Sequence, residues 1–406
     1  MLASRWSEEV TYNPRFPYPY TGAYSHAPLI FYWDTYFMNK GLLATGQDSI
    51  AIHNTLDILN VVKQYGYMGN AAGAEWGMNR SQPPFLSDMV LDIYKKEKDV
   101  RFIHYAYPLI KREYHFWTGT DIENHKAGNT GLQHYSSHAS QPELIALYNE
   151  VAARFGLDTT ISAEQKAKAG VAFAAEAASG MDFTPRFENR CQDFAAVDLN
   201  CLLYNIEKNM AYFVKEIGFK NEPGWEKLAN QRKLAINKYC WDQKAGLYYD
   251  YNYVTGRKSK VAAITAFMPL FSGIASKEQA QKVINHIGIF ETPYGVRTTI
   301  KGSGDQYQWG ANSIWAPMQL ITAVGLRNYG YERQAKTLAR QYLDLVAKNY
   351  YAPQSSKSVS PFRREPGFSY EKYKTDGTIN DDEYPASVMM GWTAGVYNYL
   401  YRFIGE

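Results

Sequence analysis

The chain has 406 residues, of which 46% are apolar and 20% are charged, and its formal net charge is +3. These values are typical of a folded globular protein and exclude a largely disordered chain. No apolar run reaches the roughly 18 residues of a transmembrane helix, and no block of like charge predicts binding to nucleic acid or a membrane. The first ten residues contain no apolar segment typical of a signal peptide, which leaves both the cytoplasm and the periplasm open.

Aromatic residues make up 15% of the chain, with 34 Tyr, 19 Phe and 9 Trp. Tyr and Trp combine a flat apolar face with a polar tip, which suits sugar rings, although a Tyr-rich core gives the same composition. The three cysteines, Cys191, Cys201 and Cys240, fit neither a disulfide framework nor a zinc-binding spacing. We expect them to be buried as small apolar residues.

Helical periodicity dominates the chain, with apolar residues recurring at intervals of three and four. Leu86, Met89, Val90 and Ile93, for example, share one face of a predicted helix that starts at Pro83. In chain order, the pattern predicts helices over 48–62, 83–96, 142–155, 162–178, 198–217, 222–239, 261–271, 277–287, 313–326, 331–348 and 384–403. One strand-like run, 247–254, is followed by a Thr-Gly turn and predicts a small β-hairpin.

About twelve helices, without a Pro/Gly/Ser-rich linker or a sequence repeat, predict one all-α domain over residues 1–406. Residues 1–27 form an N-terminal extension or loop in this prediction. Paired helices of this number can close into a toroid of two concentric rings, but periodicity alone favours an open solenoid of helix pairs equally. The long non-helical stretches hold many aromatic, histidine and acidic residues, and functional residues concentrate in such loops.

A carboxyl group among apolar side chains follows one predicted helix, since Asp182 lies between Met181 and Phe183. Apolar surroundings raise the pKa of a carboxyl group and keep it protonated near neutral pH, as a general acid requires. The alternative interpretation is an acidic residue that only turns the chain after a helix.

Three consecutive acids, Asp381, Asp382 and Glu383, precede the last predicted helix. Solvation, or an interaction with the helix dipole, explains such a cluster without any function. A catalytic interpretation needs a second carboxyl group, which Asp182 can supply. The two segments are 201 positions apart, so only the fold can bring Asp182 and Glu383 together.

Two further patterns suit a sugar ligand. Arg80 and Gln82, in the NRSQPP segment, bunch polar groups at the start of a helix, where they can bind ring hydroxyls or cap the helix. Trp33 beside Asp34, and Trp309 after a glutamine, offer stacking together with hydrogen bonds. Core Trp residues and a capping Asp explain the same patterns without a ligand.

Taken in order, these segments resemble the trehalase family and its relatives among the inverting α-glycosidases. The similar segments, between about residues 28 and 401, are FYWDTYF, KGLLATG, QYGYMGN, NRSQPPF, ASGMDFTPRF, AVDLNCLLY, CWDQKAGLYYDYNYVTG, QYQWGANSIWAP, EKY, DDEYP and GWTAGV. NRSQPP together with SGMDxxPR is a specific combination, whereas WD or WAP alone is not.

The resemblance implies an (α/α)6 toroid and an inverting hydrolase with Asp182 as the general acid and Glu383 as the general base. Such a reaction needs a small sugar and water, but no metal, organic cofactor, nucleic acid or membrane. The substrate-binding residues that the resemblance implies are Phe31, Tyr32, Trp33, Asp34, Asn70, Arg80, Gln82, Glu143, Gly180 and Trp309.

The chain departs from the trehalases mainly in segments that hold the leaving group. SHAPLIF lacks the family's arginine, and Gln141-Pro142-Glu143 stands where the family has Arg-Pro-Glu. A polar stretch, 377–382, replaces a glycine-rich lid. Met181 and the Ile314-Trp315 pair are closer to the sister family of α-glucosidases and mannosylglycerate or glucosylglycerate hydrolases. We therefore expect an intact site for the sugar that is cleaved off and an altered site for the leaving group.

These observations predict an inverting hydrolase of a small α-glucoside, either trehalose or another α-linked disaccharide. One alternative is a hydrolase of the glucosylglycerate or mannosylglycerate type, and another is a non-catalytic sugar-binding protein on the same fold. A helical-toroid polysaccharide lyase, which uses Tyr and His as base and acid, is the third, because His134, Tyr135 and His138 are available for it.

Overall fold

The computed structural model describes residues 16–23, 29–218, 224–357, 364–388 and 391–405. Within these ranges the chain forms thirteen α-helices, joined by loops and short 3-10 turns. The helices are α1 (Tyr32–Ala44), α2 (Asp48–Tyr65), α3 (Leu86–Glu97), α4 (Val100–Thr118), α5 (Gln141–Phe155), α6 (Ala163–Ala178), α7 (Val197–Ile217), α8 (Trp225–Tyr239), α9 (Met268–Phe271), α10 (Lys277–Asn285), α11 (Ala316–Asn328), α12 (Glu332–Tyr351) and α13 (Gly391–Gly405).

The strands are short, and all of their pairings are antiparallel. They are β1 (Ile30–Phe31), β2 (Ala71–Ala72), β3 (Phe194–Ala195), β4 (Trp241–Asp242), β5 (Leu247–Tyr248), β6 (Tyr251–Asn252), β7 (Arg257–Lys258), β8 (Glu291–Thr292), β9 (Gly295–Val296), β10 (Ser313–Trp315) and β11 (Lys372–Lys374). β1 pairs with β2, β4 with β5, β8 with β9 and β10 with β11, while β6 lies between β3 and β7. These pairings tie loops together and form no large sheet.

Six helices form a closed inner ring. In this ring α1 packs on α3, α3 on α7, α7 on α9, α9 on α11, α11 on α13, and α13 packs back on α1. Outside the ring, α2, α4, α8 and α12 each pack on a helix that precedes or follows them in the chain. The contact between α1 and α13 closes the toroid, so the ring prediction is confirmed and the open solenoid is excluded.

Two glycines allow this closing contact. A Cβ atom on Gly41 of α1 would lie 2.5 Å from the Cα atom of Gly395 in α13, which is closer than two carbon atoms can approach. A Cβ atom on Gly395 would lie 2.8 Å from the Cα atom of Met38. Without side chains at these two positions, the backbones of the first and last ring helices cross in direct contact.

The helix α7 shows how the sequence pattern produces the core. Leu199, Leu202, Ile206 and Met210 recur at intervals of three and four, and all four are at most 1% exposed. The helix ends at Gly218, whose φ of 73° is a left-handed conformation that glycine adopts without strain. One contiguous hydrophobic cluster contains these residues and reaches from Phe16 to Phe403.

The helices α5 and α6 stand outside the ring as an antiparallel hairpin inserted between α4 and α7. They pack against each other around a small core of their own, which consists of Tyr148, Val151, Ala152, Phe173 and Phe183. Ser162 caps α6 by accepting a hydrogen bond from the amide of Gln165 at 3.2 Å. Because Phe183 follows Asp182 directly, this hairpin is anchored beside the predicted general acid.

Several predicted elements differ from the observed ones. Within the predicted helix 261–271, Ile264–Phe267 form a 3-10 turn and only Met268–Phe271 are α-helical. The predicted start of α11 at residue 313 is wrong, because Ser313–Trp315 pair as β10 with β11. Residues 384–388 are not helical, and α13 begins at Gly391. The run 247–254 contains two strands of different sheets, and the hairpin is formed by β6 and β7 around the Thr-Gly turn.

Part of the predicted N-terminal extension packs on the toroid. Phe16 and Tyr20 are buried, and the amide of Thr21 donates a 2.9 Å hydrogen bond to the side chain of Asn54 on α2. The rest of the predicted extension, 1–15 and 24–27, lies outside the described residues. The division into one catalytic domain with an extension remains a prediction. All three cysteines are buried and unpaired, as expected. None of the described helices is long and apolar enough to span a bilayer.

Candidate active site

The loop after α6 carries Asp182 and is fixed from several sides. Gly180 has a φ of 70°, and a Cβ atom there would lie 2.8 Å from the indole ring of Trp33. The amide of Thr184 donates a 2.6 Å hydrogen bond to Glu176, and the amide of Trp309 donates one of 3.2 Å to the carbonyl oxygen of Phe183. Only glycine fits at position 180, because any side chain would strain the turn and collide with Trp33.

A buried ion-pair cluster holds the other end of this loop. The guanidinium of Arg186 is fully buried and forms bidentate hydrogen bonds with Asp198 at 2.8 and 3.1 Å and with Asp250 at 2.7 and 2.8 Å. Asp198 opens α7, and Asp250 lies between β5 and β6. These hydrogen bonds therefore join the acid-bearing loop both to α7 of the inner ring and to the segment between β5 and β6.

The three acids of the C-terminal loop each contact a different cation. Asp381 binds Arg364 and Ser355, and it accepts a 3.0 Å hydrogen bond from the amide of Ala386. Asp382 forms a 3.0 Å ion pair with Lys374 of β11. Glu383, whose φ of 64° is left-handed, forms an ion pair with Arg154 from the last turn of α5.

The fold brings Asp182 and Glu383 into one site although they are 201 positions apart. Burial raises the pKa of Glu383 to about 8, with Arg154 and Lys372 opposing the rise and Asp182 adding to it. Burial likewise raises the pKa of Asp182 to about 6, and Arg80 and Arg154 oppose that rise. With these two pKa values the two carboxyl groups together carry one proton between about pH 6 and pH 8.

Further acids face the same pair. Asp34 in the first turn of α1 is 3% exposed, and its pKa is raised to about 8 by burial and by the carboxyl groups of Glu371 and Asp182. Glu371, also 3% exposed, accepts a 2.8 Å hydrogen bond from the hydroxyl of Tyr384. Asp34 therefore lies close to the predicted acid, as the resemblance implies.

The polar residues of the NRSQPP segment also lie near Asp182. Burial lowers the pKa of Arg80, and the nearby carboxyl groups of Asp182, Glu143 and Glu150 oppose this effect. The Arg80 guanidinium donates a 2.8 Å hydrogen bond to the side chain of Asn79. Asn79 in turn donates one of 2.8 Å to Glu143, so this polar cluster joins the start of α5.

Gln82 and Asn70 support the start of α1. Gln82 accepts a 3.3 Å hydrogen bond from the amide of Trp33, and the carbonyl oxygen of Asn70 accepts one of 3.1 Å from the amide of Tyr32. The Asn70 amide donates a 2.8 Å hydrogen bond to the carbonyl oxygen of Arg80. These bonds bring the segments of the Trp-Asp pair and of Arg80 side by side.

Four tryptophans form an apolar wall. The rings of Trp309 and Trp315 stack with centroids 4.0 Å apart and an angle of 3° between their planes. Trp33 packs against Trp309 at 5.6 Å, and Trp392 stands edge-on to Trp33, Trp309 and Trp315 at 5.6–6.2 Å. All four are at most 4% exposed, so the wall excludes water behind the carboxyl groups.

Three of the residues that the resemblance implies as substrate-binding make contacts in the structure that have nothing to do with a sugar. The hydroxyl of Tyr32 is fully buried, donates to Glu113 and accepts a 3.0 Å hydrogen bond from the amide of Leu86, so the structure places this side chain in the core. Glu143 is exposed and completes a capping box with Ser140 at the start of α5. Phe31 is half-buried, with its ring centroid 6.4 Å from that of the exposed Trp76.

The sequence prediction missed three residues that contact the two acidic segments. Lys372 and Gln308 lie in the EKY and QYQW segments, but nothing in those segments predicts a function for them. In the structure their hydrogen bonds connect the acid-bearing segment with the base-bearing segment. Arg154 gave no signal at all, because it is an ordinary helical residue 28 positions before Asp182. Only the docking of the α5–α6 hairpin reveals that it reaches Glu383.

The family model described as Trehalase matches residues 29–405. The cytosolic neutral trehalase of Kluyveromyces lactis is 31% identical over 383 residues, which cover 82% of this chain and 49% of that protein. The periplasmic trehalase of Xanthomonas campestris pv. campestris is 28% identical over 404 residues, covering 94% of this chain and 67% of that protein. The chain thus spans about half the length of the first relative and two thirds of the second.

Solved structures agree with this fold. The neutral trehalase Nth1 from Saccharomyces cerevisiae has a TM-score of 0.77 at 26% identity, over 95% of this chain and 74% of that chain. The GH63 mannosylglycerate hydrolase from Thermus thermophilus in complex with glucose has a TM-score of 0.66 at 15% identity, covering 97% of this chain and 98% of that chain, a similarity of fold alone. Since the family model matches nearly its whole length, the chain belongs to the trehalase family.

Proposed function

We propose that the chain is an inverting α-glycoside hydrolase that cleaves trehalose. The observation that carries this proposal is the contact between two distant acidic segments: Arg154 pairs with Glu383 and packs on Phe183 beside Asp182. Lys372 and Gln308 also join the carbonyl oxygens of Asp382 and Asp182. Glycoside hydrolysis by inversion needs two carboxyl groups that hold a single proton between them. Membership in the trehalase family, and the names of the relatives, supply the substrate.

In the proposed reaction Asp182 donates its proton to the glycosidic oxygen as the bond to the anomeric carbon breaks. Glu383 takes a proton from a water molecule as the water oxygen bonds to the opposite face of that carbon. The products are the released alcohol and a sugar of inverted configuration, and the pair of carboxyl groups has moved its proton from Asp182 to Glu383. Exchange with solvent restores the starting state.

The pKa values of the pair are consistent with this assignment. Between about pH 6 and pH 8 the pair carries one proton, which the higher pKa places mostly on Glu383 in the free protein. The form with the proton on Asp182 has the same total charge, so both forms populate the same pH window. Hydrolysis proceeds from the form with the proton on Asp182. The pH optimum lies between the two pKa values, whichever carboxyl group holds the proton in the free protein.

The surroundings of the pair suit a glucose ring. Arg80 offers a planar fork of donors near Asp182, Asp34 offers a buried carboxyl group that also lies near it, and the Trp33–Trp309 wall offers an apolar face. Sugar hydroxyls need such donors and acceptors because an unpaired buried hydroxyl costs about 1–3 kcal/mol. These groups support a bound sugar at the position where the acid and the base converge.

The alternative functions have less support. A non-catalytic sugar-binding protein does not need both carboxyl groups, yet the carbonyl oxygen of Asp182 is bonded to Gln308 and the carboxyl group of Glu383 is paired with Arg154. A polysaccharide lyase needs an accessible tyrosine, but Tyr135 is fully buried and its hydroxyl lies 3.4 Å from the carboxyl group of Asp198. His134 bonds the carbonyl oxygen of Tyr135, and His138 bonds Glu123 at 2.5 Å.

Proton NMR of freshly started trehalose hydrolysis tests the proposal. Inversion at one glucose releases that glucose as the β-anomer, while the other leaves as the α-anomer, so the first spectra should show both in equal amounts. In H₂¹⁸O the label should appear in the β-anomer alone. Two α-anomers in the early spectra would contradict inversion, and no hydrolysis of trehalose or other α-glucosides would contradict the proposed function.

A further inference from the structure

The α5–α6 hairpin delivers one arginine to the proposed base. Arg154, in the last turn of α5, forms an ion pair with Oε1 of Glu383, and the two side chains are only 18% and 13% exposed. The guanidinium carbon lies 4.9 Å from the ring centroid of Phe183 and 5.9 Å from that of Phe155. Two aromatic faces and a carboxyl group therefore fix the planar guanidinium in one place.

This position is beside both carboxyl groups of the proposed reaction. Phe183, under the guanidinium, directly follows Asp182, and Arg154 acts electrostatically on Asp182 as well as on Glu383. The other charged groups that act on Glu383 are Lys372 of β11 and the carboxyl group of Asp182. The ammonium of Lys372 is engaged by Gln308 at 2.9 Å and by the carbonyl oxygen of Asp382 at 3.2 Å, whereas Arg154 contacts the carboxyl group of Glu383 itself.

We propose that Arg154 is a positioning residue that fixes the orientation of the Glu383 carboxyl group and stabilises its carboxylate form, which accepts the proton of the attacking water. The proposal rests on the proposed function. An ion pair at contact distance stabilises the charged form of Glu383, and its second carboxylate oxygen can accept from water while the first is bound. The hairpin would thus be part of the catalytic apparatus although it lies outside the ring of helices.

Arginines are missing from two other segments near the leaving group. The family carries them there, but this chain lacks them at 25–31 and at Gln141. Arg154 reaches the site from a different turn of the α5 helix, 13 positions after Gln141. Arg154 therefore adds a second guanidinium beside that of Arg80, and the aligned motifs do not reveal it.

Kinetics of Arg154→Ala and Arg154→Lys on trehalose between pH 5 and pH 9 test the proposal. Arg154→Ala should lower kcat/KM at pH 7 by about 10²-fold or more, as expected when a proton-transferring group loses its support. Its pH optimum should move upward by about one unit, because an adjacent cation lowers the pKa of a carboxyl group by about 1–3 units. Arg154→Lys keeps the charge, so its optimum should stay near that of the wild type while kcat falls.

Added guanidinium ion provides a second readout. At concentrations well below those that unfold the protein, guanidinium should restore part of the activity of Arg154→Ala, reach saturation and shift the optimum back. The matched control is Arg101→Ala. Arg101 is an exposed arginine in the first turn of α4, where it forms an ion pair with the N-cap residue Asp99. This variant should keep the pH optimum of the wild type and should not respond to guanidinium.

A structural role alone predicts a different pattern. If Arg154 only fastens the hairpin, Arg154→Ala lowers Tm but keeps the pH optimum of the wild type and gains nothing from guanidinium, and this result would overturn the proposal. Should Arg154→Ala fail to fold, an Arg154→Lys optimum shifted by a unit or more would overturn it too. Failure of the proposed function is distinguishable, because then the wild-type chain itself does not hydrolyse α-glucosides.

Discussion

Lys372 joins the two acidic segments through Gln308: its Nζ atom donates a 2.9 Å hydrogen bond to Oε1 of Gln308. The amide nitrogen of Gln308 donates in turn to the carbonyl oxygen of Asp182. Nζ of Lys372 also donates a 3.2 Å hydrogen bond to the carbonyl oxygen of Asp382, the neighbour of Glu383. Lys372 itself is fully buried, so this chain of hydrogen bonds joins the segments of the proposed acid and the proposed base without competition from water.

We expect Lys372→Met to lower kcat more than it raises KM. The substitution keeps the length of the side chain but leaves the oxygens of Gln308 and Asp382 without their donor, at a cost of about 1–3 kcal/mol for each buried group. The spacing of Asp182 and Glu383 then relaxes, and small errors in spacing strongly slow reactions that depend on orientation. Steady-state kinetics and thermal unfolding measure the two effects separately.

The control for this variant is Lys374→Met. Lys374 follows on the same strand and pairs with the carboxyl group of Asp382 at 3.0 Å, but its side chain is 19% exposed and does not touch the acid-bearing segment. It should lose little activity. Equal losses of kcat in the two variants would show that the strand needs both charges for stability and that Lys372 has no special function in spacing.

The pH dependence of kcat/KM should be bell-shaped, with its maximum near pH 7. Activity needs one proton on the pair, so it rises with pH as the pair loses its first proton near the pKa of Asp182, about 6. It falls again as the second proton leaves near the pKa of Glu383, about 8, because no acid then remains. A rate that is constant from pH 5 to pH 9 would exclude this pair of titrating groups.

Two variants separate the roles of acid and base. Asp182→Asn cannot donate a proton and Glu383→Gln cannot accept one, and each should lose about 10²–10⁴-fold in kcat on trehalose. Fluoride leaves with little need for protonation, so α-glucosyl fluoride should restore turnover to Asp182→Asn far more than to Glu383→Gln. Stronger rescue of Glu383→Gln would make Glu383 the acid and Asp182 the base. Near wild-type activity of Asp182→Asn on trehalose would show that Asp182 takes no part in the reaction.

Gly180→Ala should both destabilise the protein and lower kcat. A left-handed backbone costs a residue with a side chain about 1–2 kcal/mol, and the Cβ atom would also lie 2.8 Å from the Trp33 ring. Gly273→Ala is a matched control, since its φ of 71° is nearly the same and no atom lies within 4 Å of its added Cβ atom. Both variants should lower Tm through backbone strain. A loss of kcat in Gly180→Ala that Gly273→Ala does not show would come from the contact with Trp33.

Apolar periodicity predicted most of the long helices, but it missed α1 and α4 and did not predict the loops. Helices such as α7 are predicted well because their buried faces repeat every three to four residues. The pattern fails at Ser313–Trp315 and at residues 384–388, where apolar and aromatic residues are buried by long-range contacts. There β10 and β11 bring segments about 60 positions apart together, which no local pattern reveals.

The residues of the candidate site also fall into two groups, those that a local motif predicts and those that only the fold reveals. Asp182, Arg80 and Glu383 were predicted because they lie in segments with a recognisable motif. Arg154 was not, because its function depends on how the hairpin packs on Phe183 and not on its neighbours in the chain. Tyr32 shows the opposite case, since it lies in a motif beside Trp33, yet its hydroxyl is turned into the core toward Glu113.

We expect trehalose to be preferred over glucosylglycerate, which the sequence left open. Glu143 and Glu150 of α5 act electrostatically on Arg80, which itself lies near Asp182, so α5 brings two carboxylates to this side of the candidate site. Arg154 already pairs with Glu383 and is not available to bind a glycerate anion. Both carboxylates are exposed, so after screening by solvent each repels an anionic leaving group by up to about 1 kcal/mol.

Values of kcat/KM for trehalose, kojibiose, nigerose, maltose and glucosylglycerate measure this preference. The neutral disaccharide trehalose should exceed the anionic glucosylglycerate by at least about tenfold, which corresponds to about 1.4 kcal/mol. Glu150→Gln removes one carboxylate and should narrow that ratio, whereas Glu278→Gln, which changes an exposed acid on α10, should leave it unchanged. Equal rates on the two substrates in the wild type would show that the charges of α5 do not face the leaving group.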